Sequence, residues 1–435
     1  MSETSAYPTG RPIYIVDGSR TPFLRAAGRP NAFSASDLAV SASRPLLARQ
    51  PFEATEIDEV ILGCAMPSPD EANIGRILAL RLGCGHDVPG YTVMRNCASA
   101  MQALDSAAKE ISLGRANLVL AGGTEAMSRA PLIYNESAVN WFADTARARS
   151  LWAKASAMRK LPLKAFMNPV ISLIRGLNDS TINVNMGQTC EIVAHRFSIS
   201  RKEMDEYAVR SHIRLAAAFD EKRMTEIQPV YSPDGDVFDE DTGLRRDSSM
   251  EKLAKLKPVF DRKYGIVTPG NSSQITDGAA MLVLASEAAV ERYNLKPRGV
   301  LVDAQWAALD PAEMGLGPVH ASTPILKRHN LELDDIDVLE INEAFAGQVL
   351  GCVKAWEDDE YCRDHLNADG ALGSVDPNRL NVDGGAVSIG HPVGASGSRI
   401  VLHALNALEQ RDERRALASL CIGGGQGGAM LIERA

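Results

Sequence analysis

Two stretches of this chain pass through the same succession of elements, so any fold it adopts must contain one unit twice. The first, "MRNCASAMQALDSAAKEISLGRANLVLAGGTEAM", runs turn, helix, strand and glycine pair. The second, "SIGHPVGASGSRIVLHALNALEQRDERRALASLCIGGGQGGAM", does the same. Each begins at a reactive type of residue, Cys97 or His391, where a helix is expected to start. We read the pair as an internal duplication of an α/β unit. Around it, "PIYIVDGSRTPF", "DEVILGCA", "ANLVLAGG", "AAMLVLAS", "DVLEIN" and "RALASLCIGGG" are short apolar runs, with helical patterns such as "RKEMDEYAVRSHIRLAAAFDEKR" between them. Continuous apolar strands alternating with helices predict buried, largely parallel sheets with helices on their faces. The last strand is expected to close on "SLCIGGGQGG", residues 419–428.

Residues from about 131 to 263 differ in character, with several helices, few strand-like runs and more charge. They read as an inserted substrate-side loop domain. The domain plan is then 1–130 plus 264–288 for the N-terminal half, 131–263 for the insert and 289–435 for the C-terminal half. Inside the insert, "TARARSLWAKASAMRKLPLKAFMNPVISLIRGL" carries seven Lys or Arg and no acid, interleaved with Leu, Trp, Phe, Met and Ile. A basic amphipathic stretch over 144–176 suits an anionic membrane surface or an acidic partner, and equally a solvated helix pair covering the core.

The net charge of -9 argues against a nucleic-acid binder. The N-terminus, after a short polar tail, lacks a basic start and an apolar h-region, and no long uncharged apolar run follows, so a soluble, cytoplasmic protein is expected. Its seven cysteines are spread without CxxC spacing, which fits reduced thiols and neither a disulfide framework nor a metal site.

Cys97 sits where an apolar run ends and a helix begins, a place where the macrodipole and free N–H groups lower a thiol's pKa. That makes it a candidate nucleophile. His391 lies in "GGAVSIGHPVGASGSR", where Gly390, Gly394 and Gly397 are expected to leave room for a bulky substrate beside an imidazole of ordinary pKa. Asn342 and Glu343, in "LEINEAFAGQV", follow a buried strand and could bind a water or carbonyl, or simply cap a helix. Cys421 precedes glycines that permit close approach of a ligand to the backbone. Together these residues fall at strand ends of a duplicated framework, where such folds build sites. They support acyl or carbon–carbon transfer through an S-acyl enzyme, with N–H groups near Cys97 and Gly423 holding an oxyanion.

With those residues on the page, the sequence resembles the thiolase family. "NCASAMQAL", "NEAFAGQ", "NVDGGAVSIGHPVGASGSR" and "CIGGGQGGAM" are similar to its four signature blocks, in order, and the likeness extends through "SRTPF", "GGTEAMS", "NMGQTCEIVA" and "NSSQITDGAA". The resemblance implies a duplicated five-layered α-β-α-β-α fold with a loop domain, in a homodimer or dimer of dimers, using coenzyme A as co-substrate and no bound cofactor. By motif it makes Cys97 the nucleophile, His391 its activating base and Cys421 the acid/base for the acetyl-CoA carbanion. Asn342 would position a water that forms one oxyanion hole with His391, and the N–H groups of Cys97 and Gly423 would form the other. Ser273 matches a CoA-contacting serine, Met186 an acyl-pocket methionine, and Phe345 completes the "NEAF" block beside them.

The insert resembles the extended loop of β-subunits of fatty-acid-oxidation complexes, which implies an α-subunit partner or membrane contact. Relatives of that type often carry His at position 342 and a further Ala in the histidine block, whereas short-chain biosynthetic relatives tend to have His at position 185, which is Asn here. The balance favours a degradative 3-ketoacyl-CoA thiolase of medium or long chains over a short-chain acetyl-CoA acetyltransferase. A β-ketoacyl synthase is disfavoured by Cys421 and "NEAFA", and a non-catalytic lipid-binding relative by the presence of all four reactive residues. A dinucleotide enzyme is disfavoured because no long helix follows "GGGQGG" to cap a pyrophosphate.

Overall fold

The computed structural model describes residue 7 and residues 10–435, so the polar tail before Gly10, Tyr7 apart, lies outside the described residues. The first half runs β1 (Tyr14–Arg20), α1 (Ala35–Ala48), β2 (Glu59–Gly63), α2 (Ile74–Leu82), β3 (Gly90–Val93), α3 (Ser99–Ser112) and β4 (Leu118–Ala126). A long excursion then holds α4 (Glu136–Arg147), α5 (Leu151–Arg159), α6 (Leu163–Met167), α7 (Met186–Arg196) and α8 (Arg201–Asp220) before β5 (Thr276–Ala285) returns to the sheet. The second half follows as β6 (Gly299–Ala308), α9 (Gly317–Arg328), β7 (Val338–Ile341), α10 (Ala346–Glu357), α11 (Ser396–Arg411), β8 (Arg415–Ile422) and β9 (Gln426–Arg434).

The strands lie in the order β7-β8-β9-β6-β1-β5-β4-β2-β3, the two half-sheets joined edge to edge by β1 and β6 at Tyr14↔Val300 and Ile15↔Gly299. Outward from that seam, the first half reads β1-β5-β4-β2-β3 and the second β6-β9-β8-β7, with a bridge at Leu380 beside Leu339 where β3 stands in the first. The duplication is therefore one of topology. Its phase is not the expected one. The counterpart of the Arg95–Cys97 bridge is the Val382–Gly384 bridge, and His391 sits in an added stretch around the short helix Ala386–Ile389.

The sheets are mixed rather than largely parallel. Only β2–β3, β2–β4 and β7–β8 are parallel, because the first and last strands of each half fold back as antiparallel neighbours. Nor is β8 the last strand. Gly424 and Gly425, with φ of 93° and 74°, reverse the chain so that β9 pairs back along β8. A Cβ on Gly425 would lie 2.3 Å from the Leu309 carbonyl, so this turn tolerates glycine alone.

Three apolar cores separate five layers. One packs α1 and α2 on the outside of the first sheet, one buries α3 and α11 between the sheets, and one packs α9 and α10 on the outside of the second. In β8, Ala416, Ala418 and Leu420 face the central layer while Leu417 and Cys421 face the outer one. Burial on both faces is why this strand reads as an unbroken apolar run.

The excursion is tied to the core by buried charge. Arg20 on β1 makes a bidentate pair with Asp241, at 2.7 and 2.8 Å, and His403 on α11 contacts Glu226 at 3.0 Å and Asp383 at 3.4 Å. Helices α4 to α6 stand away from it. Leu132–Ile133 pairs with Val170–Ile171 to close their loop, and Tyr134, Trp141, Phe142 and Phe166 hold the helices together. Leu151 and Trp152 are 86% and 87% exposed. These helices therefore do not cover the core.

Candidate active site

Cys97 occupies the turn between β3 and α3. Ser99 Oγ pins that turn by accepting from the Arg95 N–H at 2.9 Å and donating to the Asn96 carbonyl at 2.7 Å. Asn96, at φ 44°, sends its Nδ2–H to the Gly423 carbonyl at 2.8 Å, which fastens the Cys97 turn to the glycine hairpin after Cys421. The half-buried Cys97 thiol receives the Gly423 N–H as well as its own. Its pKa nevertheless lies above that of a free thiol, first through loss of hydration and further through the Glu125 charge. The expected lowering by the helix end does not win, since α3 begins only at Ser99 and desolvation outweighs the two N–H donors.

His391 is buried, and its N–H donates to the Gln274 carbonyl at 3.0 Å. Its Nδ1 is 2.6 Å from Ser396 Oγ, and that hydroxyl donates onward to the Pro392 carbonyl at 3.1 Å. With that hydroxyl turned to Pro392, the proton is assigned to Nδ1, which leaves Nε2 as the acceptor. Burial, and Arg399 after it, hold the ring down to about 4, so it is neutral at neutral pH. The surrounding glycines do not open space for substrate. Added Cβ atoms would strike Thr276 at Gly390, the Thr124 carbonyl and Glu125 at Gly394, and Met101 at Gly397. They let the protein pack against itself.

Asn342 is wholly buried beyond the end of β7, with its N–H on the Ser419 carbonyl at 2.9 Å. Its Nδ2 stands 3.5 Å from both His391 ring nitrogens, and its Oδ1 has no partner. It caps nothing, because the N-cap of α10 is Phe345. Glu343 is not a cap either. It accepts from Tyr207, Ser211, Asn381 and the Val387 N–H at 2.7 to 3.0 Å, which anchors the His391 segment to α8. Cys421 is buried at the end of β8, and burial together with the nearby Cys97 charge keeps it firmly protonated.

His391 and Cys97 border two adjoining cavities. One, of about 420 Å³, is lined by His391, Ser273 and Phe345, and the other, of about 450 Å³, by Cys97 and Gly423. Met127, Leu177, Met186 and Val393 belong to both walls. The Ser273 N–H donates to the Ala344 carbonyl at 2.9 Å, Phe345 stacks edge-on against Phe260, and Met186 is held by the Asn185 cap of α7. Of the eight residues singled out from the sequence, six line these two cavities; Asn342 lies behind them, 3.5 Å from the His391 ring, and Cys421 is close enough to Cys97 to feel its charge. Sequence reasoning missed Ser396, Glu125 and the anchoring role of Glu343. The available signals were a hydroxyl five residues after His391 and an acid inside an apolar strand. Arg25 and Arg245, also unforeseen, line the His391 cavity. The arrangement places a thiol with two main-chain N–H donors on one cavity, a neutral imidazole backed by an amide on the next, and a second thiol behind them.

A family model described as thiolase, N-terminal domain, matches residues 13–288, and one described as thiolase, C-terminal domain, matches residues 295–434. The beta subunit of the mitochondrial trifunctional enzyme of Mus musculus is 35% identical over 432 residues, covering 99% of this chain and 90% of that protein. A beta-ketoadipyl-CoA thiolase of Acinetobacter baylyi is 40% identical over 429 residues, covering 97% of this chain and 99% of that protein. The crystal structure of human mitochondrial 3-ketoacyl-CoA thiolase in complex with CoA superposes with a TM-score of 0.86 at 32% identity, covering 100% of both chains. A Bacillus anthracis acetyl-CoA acetyltransferase superposes with a TM-score of 0.82 at 34% identity, covering 98% of this chain and 99% of that one.

Proposed function

The chain belongs to the thiolase family, both of whose domains it carries in order, and from that premise we propose how its own residues run the reaction. It is an acyltransferase that cleaves 3-ketoacyl-CoA with coenzyme A as co-substrate, giving acyl-CoA and acetyl-CoA. The Cys97 proton passes to the bare Nε2 of His391, and the thiolate attacks the 3-keto carbon. The oxyanion formed there takes the N–H groups of Cys97 and Gly423, which already point at the sulfur. Breaking the bond between carbons 2 and 3 leaves Cys97 acylated and releases acetyl-CoA as its enolate. That enolate oxygen is held by the His391 imidazolium and by a water on Asn342, whose Oδ1 has an open acceptor position. Cys421 gives its proton to carbon 2. It then takes the proton of the incoming CoA thiol, which attacks the thioester, and Cys97 leaves and recovers its proton from His391. The scheme is supported by two thiols from opposite halves close enough for the Cys97 charge to act on Cys421, with the buried neutral His391 on the wall of the cavity adjoining that of Cys97.

The substrate is a medium- or long-chain 3-ketoacyl-CoA of fatty-acid β-oxidation. Supporting this, the cavity at Cys97 is walled by Met66, Met127, Leu173, Leu177 and Val393 and lies at the foot of the basic, apolar excursion. Arg25 and Arg245 suit the phosphates of CoA. The excursion, with Leu151 and Trp152 in solvent and no acid from residue 145 to 177, docks on an anionic membrane surface. The enzyme is an oligomer built on copies of this chain, for which the edge strand β3 and the 67% exposed Met94 beside it offer a pairing face. Its seven free thiols suit the reducing cytoplasm. Thiolysis rates across 3-ketoacyl-CoA substrates of graded length, followed at the 3-ketoacyl-CoA absorbance, test the substrate. Rates should rise beyond acetoacetyl-CoA, and activity confined to acetoacetyl-CoA would make this a short-chain acetyltransferase.

A further inference from the structure

Strand β4 is apolar almost throughout, yet it carries a wholly buried acid, Glu125. Val119 and Ala121 face the central helical layer, and alternation puts Glu125 on that face too. A buried carboxylate is costly to keep unless donors satisfy it. Here the donors are main-chain N–H groups and a thiol. The Ala65 N–H reaches Oε2 at 2.8 Å, the Met66 N–H reaches Oε1 at 3.2 Å, Cys64 Sγ reaches Oε1 at 3.3 Å, and the Gly394 N–H donates as well.

These donors come from two separate loops. Cys64 to Met66 follow β2, and Gly394 belongs to the His391 turn. A Cβ on Gly394 would stand 2.7 Å from Oε2, so the turn approaches the carboxylate as only glycine can. Both loops reach the reacting thiol, because Ala65, Met66 and Val393 line the Cys97 cavity and pack with Cys97 in one small apolar cluster. Of the titratable and charged groups nearby, the Cys64 thiol donates to Glu125, Glu71 lies beyond Cys64, and Cys97 is raised by the Glu125 charge. Asp277 on β5 turns away to Ser128 and Asn31, and Arg399 acts on His391. Burial lifts Glu125 to about 7 in spite of its donors.

We propose that Glu125 is a positioning residue for thiolysis, a clasp that ties the Cys64–Met66 loop to the His391 turn around the Cys97 cavity. The inference rests on Cys97 and His391 acting as described above. A carboxylate can accept all four donors at once, whereas an amide turns its NH₂ against N–H groups and loses half of that capacity.

Two variants separate reach from charge. Glu125→Gln keeps the length and loses the charge, and Glu125→Asp keeps the charge but is too short to hold both loops. The readouts are the pH dependence of Cys97 alkylation by iodoacetamide in substrate-free enzyme, and kcat and KM for thiolysis. Glu125→Gln should shift the alkylation profile to lower pH, and both variants should lower kcat by about 10- to 100-fold with little change in KM. An unshifted profile in Glu125→Gln, or kcat losses that merely follow the fraction of unfolded enzyme, would overturn the proposal. If Glu125→Gln does not fold, Cys64→Ala removes one donor at small structural cost. It should loosen the Cys64–Met66 loop and lower kcat with little change in KM, and a kcat and KM equal to those of the unaltered enzyme would overturn the proposal equally. Failure of the thiolase scheme itself is distinguishable, because it would appear as absent turnover in the unaltered enzyme.

Discussion

Replacing Asn342 by alanine removes one half of the enolate site while touching little of the fold. The side chain is wholly buried, its Oδ1 has no protein partner, and its Nδ2 makes only two long 3.5 Å approaches to His391. Its main-chain bond to Ser419 survives the change. Losing an unpartnered polar group and two weak contacts should move stability by no more than about 1 kcal/mol. In the proposed scheme the water held for the enolate oxygen would go with it. Loss of one such donor typically costs about 100- to 1,000-fold in kcat, or roughly 3 to 4 kcal/mol of transition-state stabilisation. The assay is steady-state thiolysis, paired with thermal melting and with iodoacetamide labelling of Cys97. We expect kcat to collapse while KM, melting temperature and labelling stay near the unaltered values, and Asn342→His, which still offers a ring nitrogen to water, to recover part of the rate. A kcat within about threefold of the unaltered enzyme would refute the placement of the water. Loss of labelling alongside kcat would refute it too, since the side chain would then be supporting Cys97.

Other outcomes follow from the same geometry. Cys421→Ala should abolish cleavage yet leave Cys97 open to alkylation, because the proposed scheme has the two thiols act on different carbons; an unreactive Cys97 in that variant would contradict separate roles. His403 sits with Glu226 and Asp383, whose charges outweigh burial and hold it up to about 10, against about 6.5 when unfolded. Its proton therefore stabilises the fold fully below the unfolded value, and that contribution drains away as pH rises toward 10, at up to about 1.4 kcal/mol per pH unit. Melting temperature should fall across that range, and His403→Gln should melt lower at neutral pH with a flatter alkaline slope. An equally steep slope in the variant would contradict this. Trp152→Glu should weaken co-sedimentation with anionic vesicles without altering thiolysis of a soluble substrate, while unchanged sedimentation would argue against membrane docking.

The family was legible in the sequence because the residues that carry the resemblance lie in short motifs. Cys97, His391, Asn342 and Cys421 each stand beside turn-forming or small residues that mark a strand end, and the duplicated order of elements pointed to two similar sheets. What was not legible depends on contacts between distant segments. Strand β9 follows a glycine cluster and carries two more glycines after its first residue, Gln426, so local propensity hides it until β8 and β6 flank it. The upward shift of Cys97 reflects burial and Glu125, neither of which can be seen beside it in the chain. Glu343 looks like a helix cap until Tyr207, Ser211 and Val387 are found around its carboxylate. The added stretch that brings His391 toward Cys97 is likewise a property of the assembled halves.

The most direct test of the account is to mix the enzyme with a 3-ketoacyl-CoA in the absence of free CoA and to measure intact and peptide masses. The account predicts one acyl group per chain, carried as a thioester on Cys97 and removed on adding CoA. An acyl group on Cys421, or none on any cysteine while cleavage proceeds, would contradict it.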